Sequence, residues 1–91
     1  MSLKPAIAVP AFVYVLASTR NGAYRTYVGW TTDIERRLAQ HNCGTGAKST
    51  RGREWVLVYA ERHATRAAAM SREWRIKHDR RFRRMLYADW G

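Results

Sequence analysis

The feature that most constrains this chain is a pair of β-branched, aromatic runs, Phe12-Val13-Tyr14-Val15-Leu16 and Tyr24-Arg25-Thr26-Tyr27-Val28, separated by Thr19-Arg20-Asn21-Gly22. Such residues favour extended backbone, and an Asn-Gly step supplies the positive φ angles of a tight reversal, so the two runs read as a β-hairpin. Alternation along a strand places Tyr14 on a face with Phe12 and Leu16, and Tyr27 on a face with Arg25 and Gly29.

Directly after the hairpin, Thr32-Asp33-Ile34-Glu35 fits a capping box, in which a Thr hydroxyl and a Glu carboxylate satisfy the free N–H groups of a helix start. In the predicted helix Ile34 and Leu38 share the face turned to the sheet, Arg37 and His41 form an i,i+4 pair on a neighbouring face, and Gly44 is a natural stop. Residues 43–53 then read as a mobile loop rich in Gly, Ser, Thr and positive charge. Trp55-Val56-Leu57-Val58-Tyr59-Ala60 reads as a continuous apolar strand suited to the centre of a small sheet. From Thr65 to about His78 the residues are good helix formers. Asp79 can cap a last helix, whose Phe82, Met85, Leu86 and Trp90 recur at helical spacing against a basic opposite side. The order is strand, strand, helix, strand, helix, helix: an α/β (α+β) unit with a small three-stranded antiparallel sheet flanked by helices. Met1 to Pro10, with both prolines, reads as an extended or mobile lead-in, leaving residues 12–91 as a single domain after a lead-in of residues 1–11.

Seventeen Lys and Arg against seven Asp and Glu give a formal charge of +10, and the chain also carries four Trp and five Tyr. A field of that sign attracts a polyanion and those rings can stack on bases, which makes nucleic acid the first partner to consider. The alternative is a basic surface that only confers solubility. An anionic membrane fits less well, because the Arg residues are not gathered beside one apolar helix face. The apolar stretch 6–17 imitates a signal peptide, but Pro10 interrupts it and only Lys4 precedes it. It is also about half the length that spans a bilayer as a helix. One cysteine, Cys43, excludes an internal disulfide and a cysteine-based zinc site, which fits a cytoplasmic location. Gly44-Thr45-Gly46-Ala47-Lys48-Ser49-Thr50 is not a P-loop, since no Gly precedes Lys48 and a helix, not a strand, leads into it.

Val13-Tyr14-Val15 and Tyr27-Val28-Gly29, followed by Arg37 and by Arg72-Glu73-Trp74-Arg75-Ile76-Lys77, resemble the GIY-YIG nuclease superfamily, named for two short strand motifs. The segments 31–38, 41–42 and 46–51 are similar to its small stand-alone bacterial members, which in turn resemble the nuclease domains of excision-repair and homing endonucleases. In that family an Arg follows the second motif's Tyr by ten positions on the first helix, a place that Arg37 takes here, and a Glu on a later helix binds the metal, which makes Glu73 the candidate. The chain departs from the pattern with Val13 in place of Gly, a conservative Val15, and Trp30 where some relatives carry Lys.

The resemblance implies a metal-dependent endonuclease that hydrolyses phosphodiester bonds in DNA, directed by structure more than by sequence, in DNA repair or recombination. Its expected catalytic set is Tyr14, Tyr27, Arg37, His41 and Glu73. Glu73 would hold one Mg²⁺ (or Mn²⁺), a hard cation that keeps most of its waters. Arg37 can fork two donors onto phosphate. The tyrosines would orient or deprotonate the attacking water, and His41 would contact phosphate or shuttle a proton. Lys48, Arg51, Arg53 and Lys77 are the candidate grips for the nucleic-acid backbone. Taken singly these residues are unremarkable: strand tyrosines, a solvated helix Arg, and a Glu73/Lys77 surface pair at i,i+4. Two rivals stay open, a non-catalytic DNA- or RNA-binding module with the same fold, and an accessory protein docking an acidic partner. The sequence leaves oligomeric state and substrate structure undetermined.

Overall fold

The computed structural model describes residues 9–20 and 22–90, without the side chains of 87–90. The hairpin forms from β1 (Ala11–Arg20) and β2 (Ala23–Thr31), paired antiparallel with Tyr14 opposite Gly29 and Leu16 opposite Tyr27. Gly22 holds φ +76 in the reversal, the left-handed region that glycine enters without a Cβ clash; Asn21 lies outside the described residues, as does most of the expected lead-in. Then follow α1 (Ile34–Asn42), a short 3-10 turn at Lys48–Thr50, β3 (Val56–His63), α2 (Arg66–Lys77) and α3 (Arg80–Trp90). This is the expected α+β order, with three antiparallel strands and three helices.

The sheet order β2-β1-β3 corrects one expectation: the strand after Trp55 is an edge, and β1 is the centre. An apolar run marks a strand buried on both faces, and β1 satisfies that condition, with residues 11 and 13–17 all at 1 % exposure or less. In β3, by contrast, Val56 and Leu57 remain 38 % and 41 % exposed.

The two faces of β1 serve different cores. Val13 and Val15 join Ala11, Val28, Ala69 and Ile76 beneath α2, with Phe82 and Leu86 of α3 packed alongside. Tyr14 and Leu16 join Trp55 on the opposite face, with Tyr27 and Leu38 against them. Thr65 caps α2 by accepting from Ala68 N at 3.1 Å, and Asp79 caps α3 by accepting from Phe82 N at 2.9 Å. Met85 departs from the expected apolar stripe, being 61 % exposed, while the side chain of Trp90 falls outside the described residues.

Helix α1 starts one residue later than the capping-box reading requires. Asp33, not Thr32, is the N-cap, its carboxylate accepting from Arg36 N at 3.1 Å. The Thr31 hydroxyl accepts from Asp33 N at 3.1 Å, and this fixes the chain in the extended conformation that a cap residue needs.

Candidate active site

The second core is where four of the sequence candidates, Tyr14, Tyr27, Arg37 and His41, meet. Tyr14 and Tyr27 lie on the same face of the hairpin because Leu16 pairs with Tyr27 and Tyr14 with Gly29. Their ring centroids are 6.3 Å apart, and the His41 ring, coming from the last turn of α1, sits 4.6 Å from that of Tyr27. Gly29 makes this closeness feasible, since a Cβ there would lie 2.5 Å from the Tyr14 hydroxyl oxygen and 3.0 Å from Tyr27 Cε2.

His41 is the buried residue of α1, at 1 % exposure, and both ring nitrogens are engaged: Nε2 with the Tyr14 hydroxyl at 2.9 Å and Nδ1 with Thr50 Oγ1 at 2.9 Å. Burial, helped by the charge of Arg37, pushes its pKa below the ordinary histidine value, so it is neutral near pH 7. An enclosed ring with both nitrogens occupied does not reach a phosphate in this conformation.

Burial raises the Tyr14 phenol to about 12, and the nearby Arg37 guanidinium only partly offsets this. Tyr14 is therefore a neutral hydroxyl, not a tyrosinate. Arg37, one turn before His41, lies beside the hydroxyls of both tyrosines, contacts that raise its own pKa, and its Nη1 donates to Gln40 Oε1 at 2.9 Å. It also lines an open groove of about 470 Å³, whose wall includes Trp30, Arg36, Gln40 and Arg66.

Glu73 comes from α2, four residues after the buried Ala69 and three before the buried Ile76, so it lies on the same side of that helix as they do. Its carboxylate is close enough to add to the forces that keep Tyr14 protonated. The side chain is 20 % exposed and its ion pair is with Lys77 at 3.2 Å, the i,i+4 contact foreseen in the sequence. No group of three or more His, Cys, Asp or Glu gathers among the described residues. One partly buried carboxylate, with a lysine that is 48 % exposed and can swing away, suits a hydrated hard cation that takes few protein ligands. It does not suit zinc, which asks for three or four.

The expected backbone grips divide. Lys48 and Arg51 are exposed beside the site. Arg53 is turned inward, its Nη2 donating to the carbonyls of Ser18 at 3.3 Å and Ala23 at 3.0 Å, so it ties the loop to the hairpin. The loop expected to be mobile is likewise pinned at Thr50, which is fully buried and whose carbonyl accepts from Trp55 Nε1 at 2.8 Å. Asn42 adds a two-way clamp, its amide donating to Trp55 O at 3.0 Å and accepting from Trp55 N at 2.7 Å. Sequence reasoning assigned no role to Thr50, Asn42 or Trp55. Asn42 and Thr50 lie in segments that resemble small family members, but their contacts cross a loop without periodicity, so spacing gives no sign of them.

A small α+β domain that sets two strand tyrosines against a helix arginine and a histidine, with a glutamate on the next helix, is the arrangement expected of a GIY-YIG domain. The chain belongs to that family: the pattern of the GIY-YIG catalytic domain matches residues 10–87. Within it, the chain is similar to small UPF0213 proteins. One from Haloquadratum walsbyi is 44 % identical over 81 residues, covering 88 % of each chain. Another, from Streptococcus pneumoniae, is 50 % identical over 72 residues, 78 % of this chain and 70 % of that one. The solution NMR structure of a UPF0213 protein from Bacillus halodurans is 32 % identical, covers 90 % of this chain and 85 % of its own, and superposes with a TM-score of 0.46. The GIY-YIG domain implies nuclease chemistry on a nucleic acid, and its nucleases typically use divalent metals. No helix among the described residues is long and apolar enough to cross a membrane.

Proposed function

We propose that this protein is a metal-dependent endonuclease that hydrolyses phosphodiester bonds in DNA, in a cytoplasmic setting, with binding directed by the shape of the substrate and not by its sequence. The observation that carries the reading is the buried hydrogen bond between the Tyr14 hydroxyl and His41 Nε2 at 2.9 Å, with Arg37 beside Tyr14 and the charge of Glu73 acting on it. A binding module has no use for a buried proton acceptor behind a neutral tyrosine, whereas a hydrolase that must activate water at neutral pH does.

Arg37, at the groove, forks onto the scissile phosphate and stabilises the charge that builds on its oxygens. Glu73 would hold Mg²⁺ or Mn²⁺, which when bound supplies Lewis-acid stabilisation of the phosphoryl oxygens and eases departure of the leaving oxygen. Tyr27, half-buried with its hydroxyl near Arg37, orients the attacking water. As the water oxygen bonds to phosphorus, its proton passes to the Tyr14 oxygen while the Tyr14 proton passes to His41 Nε2. The phosphorus–oxygen bond opposite breaks with its electron pair, and the leaving oxygen takes a proton from solvent. Because Tyr14 gives and receives a proton in one motion, its high pKa is no obstacle. Exposed Lys48 and Arg51, with Lys77 once displaced from Glu73, grip flanking phosphates without reading bases.

The test incubates wild type and Glu73→Ala with labelled linear, flapped, branched and single-stranded DNA, with Mg²⁺ or a chelator. Wild type should cut only with the metal. Loss of the ligand should cost at least the roughly 10–100-fold that removal of outer-shell partners costs. Cutting by the variant at the wild-type rate removes Glu73 from the mechanism. Metal-independent binding with no cleavage of any substrate establishes the non-catalytic module instead.

A further inference from the structure

We infer that Thr50 is a positioning residue which locks His41 in the tautomer protonated at Nδ1, leaving a bare Nε2 turned toward Tyr14. This rests on the reading of the site as hydrolytic, and it adds a residue to which no role has been assigned.

The two ends of the hydrogen-bonded chain polarise it in the same direction. At one end the Thr50 hydroxyl has a single proton, and Oγ1 donates it to the carbonyl of Ala47 at 2.7 Å, within the 3-10 turn. Oγ1 is then left to accept, so the 2.9 Å contact to His41 is a donation from Nδ1–H. At the other end the Tyr14 oxygen lies beside Arg37, which can only donate. The Tyr14 proton therefore needs an acceptor, and the group in reach is His41 Nε2 at 2.9 Å. The opposite tautomer would set Nε2–H and the Tyr14 hydroxyl donor against donor in a site where both residues are at 1 % exposure, leaving a buried polar proton unmatched.

The surroundings hold Thr50 to this task. It is fully buried, its carbonyl accepts from Trp55 Nε1 at 2.8 Å, and its N–H donates to Ala47 O at 3.0 Å. Gly46 closes the ring in from the other side: a Cβ there would stand 2.6 Å from His41 Nδ1 and 3.0 Å from His41 Cα. The imidazole is thus fixed in plane by packing and in tautomer by one hydroxyl. A loop of the chain that carries no catalytic group decides which nitrogen faces the chemistry.

The experiment records ¹⁵N shifts of the histidine ring nitrogens at pH 7.5 in wild type, Thr50→Val and Thr50→Ser, together with single-turnover cleavage. Wild type should show His41 protonated at Nδ1 and bare at Nε2. Thr50→Val, similar in shape but without the hydroxyl, should shift His41 to a mixed or inverted tautomer and slow cleavage about 10–100-fold, the range for an outer-shell partner of a functional histidine. Thr50→Ser should restore both. A wild-type His41 protonated at Nε2 overturns the proposal, as does a folded valine variant that keeps the wild-type tautomer. Should the valine variant unfold, the wild-type and serine spectra decide alone. A locked tautomer in a protein that cuts no substrate would leave this inference standing and bring down only the nuclease reading.

Discussion

Replacing Gly29 by Ala tests whether the tyrosine–histidine contact sets the geometry of the site. The backbone at Gly29 is ordinary strand, so the added methyl acts by sterics alone. Its Cβ would lie 2.5 Å from the Tyr14 hydroxyl oxygen and 2.7 Å from Cζ. Ordinary carbon contacts need about 1 Å more. Tyr14 cannot yield freely, because its ring is 1 % exposed and its hydroxyl is held at 2.9 Å by His41 Nε2. A retreat of about 1 Å takes that bond out of range. Overpacking costs about 1–3 kcal/mol and the lost buried hydrogen bond about 1 kcal/mol more. Even the lower end of that sum, about 2 kcal/mol, lowers Tm by about 8–16 °C in a domain of this size. The same displacement should slow cleavage about 10²-fold per folded molecule. Gly22→Ala is the control: at φ +76, with nothing within 4 Å of its Cβ, it strains only the hairpin reversal and leaves the site alone. Thermal melts and single-turnover cleavage of both variants, below their melting temperatures, decide the matter. If Gly29→Ala melts with wild type, or loses no more activity than Gly22→Ala, the steric reasoning is wrong.

Two further outcomes follow from the structure. Asp33→Ala should lose about 0.5–2 kcal/mol in urea unfolding through loss of the α1 cap, and Thr32→Ala at most about 0.5 kcal/mol; the reverse ranking would return the cap to Thr32. His41 has a folded pKa below its unfolded value, so as pH falls the unfolded chain takes up the proton first. Its contribution to stability is complete above the unfolded pKa of about 6.5 and is lost as pH falls from there toward the folded pKa. Unfolding free energy of wild type, compared with His41→Gln between pH 7.5 and 5.5, should show an acid-side slope that the variant lacks; equal slopes would mean that His41 is not held neutral.

What was legible in the sequence was whatever repeats or caps along the chain. The hairpin, the starts of α2 at Thr65 and α3 at Asp79, and the order of elements all lie in local pattern. The first helix start was misplaced by one residue because Thr32 and Asp33 are both good caps. The choice between them is made by the Thr31 hydroxyl, a contact that no spacing rule contains. The place of β3 was misread because an apolar run reports burial, not neighbours. Four of the candidate site residues come together, since hairpin register and one helix turn fix them, while Glu73 stands on α2, which packs on the other face of β1, and reaches Tyr14 only through its charge. Thr50 and the inward turn of Arg53 were out of reach, because both depend on partners at least nine residues away, across an aperiodic loop.

The charge on the last two helices is also less uniform in space than in sequence, and this bears on how substrate would be held. Arg72 donates through Nε to Glu61 at 2.7 Å, in a cluster where Tyr59 and His63 also donate to that carboxylate, and its guanidinium lies 5.8 Å from the Phe82 centroid. Arg83 donates to Lys77 O at 3.0 Å and reaches Thr26 Oγ1 at 3.4 Å. Both therefore brace α2 and α3 against the sheet. Of the basic groups left on the surface, Arg36 and Arg66 border the groove and Lys48 and Arg51 belong to the pinned loop, while Arg75, Arg80, Arg81 and Arg84 stay exposed along α2 and α3. On the proposed reading, then, the protein has two parts with different physical demands. A buried, hydrogen-bonded interior sets the proton path, and an exposed cationic rim takes up backbone phosphates. Specificity would have to arise where the rim and the interior meet, from which phosphate can reach Arg37 while Glu73 stays open to a metal, and that is a question of substrate shape.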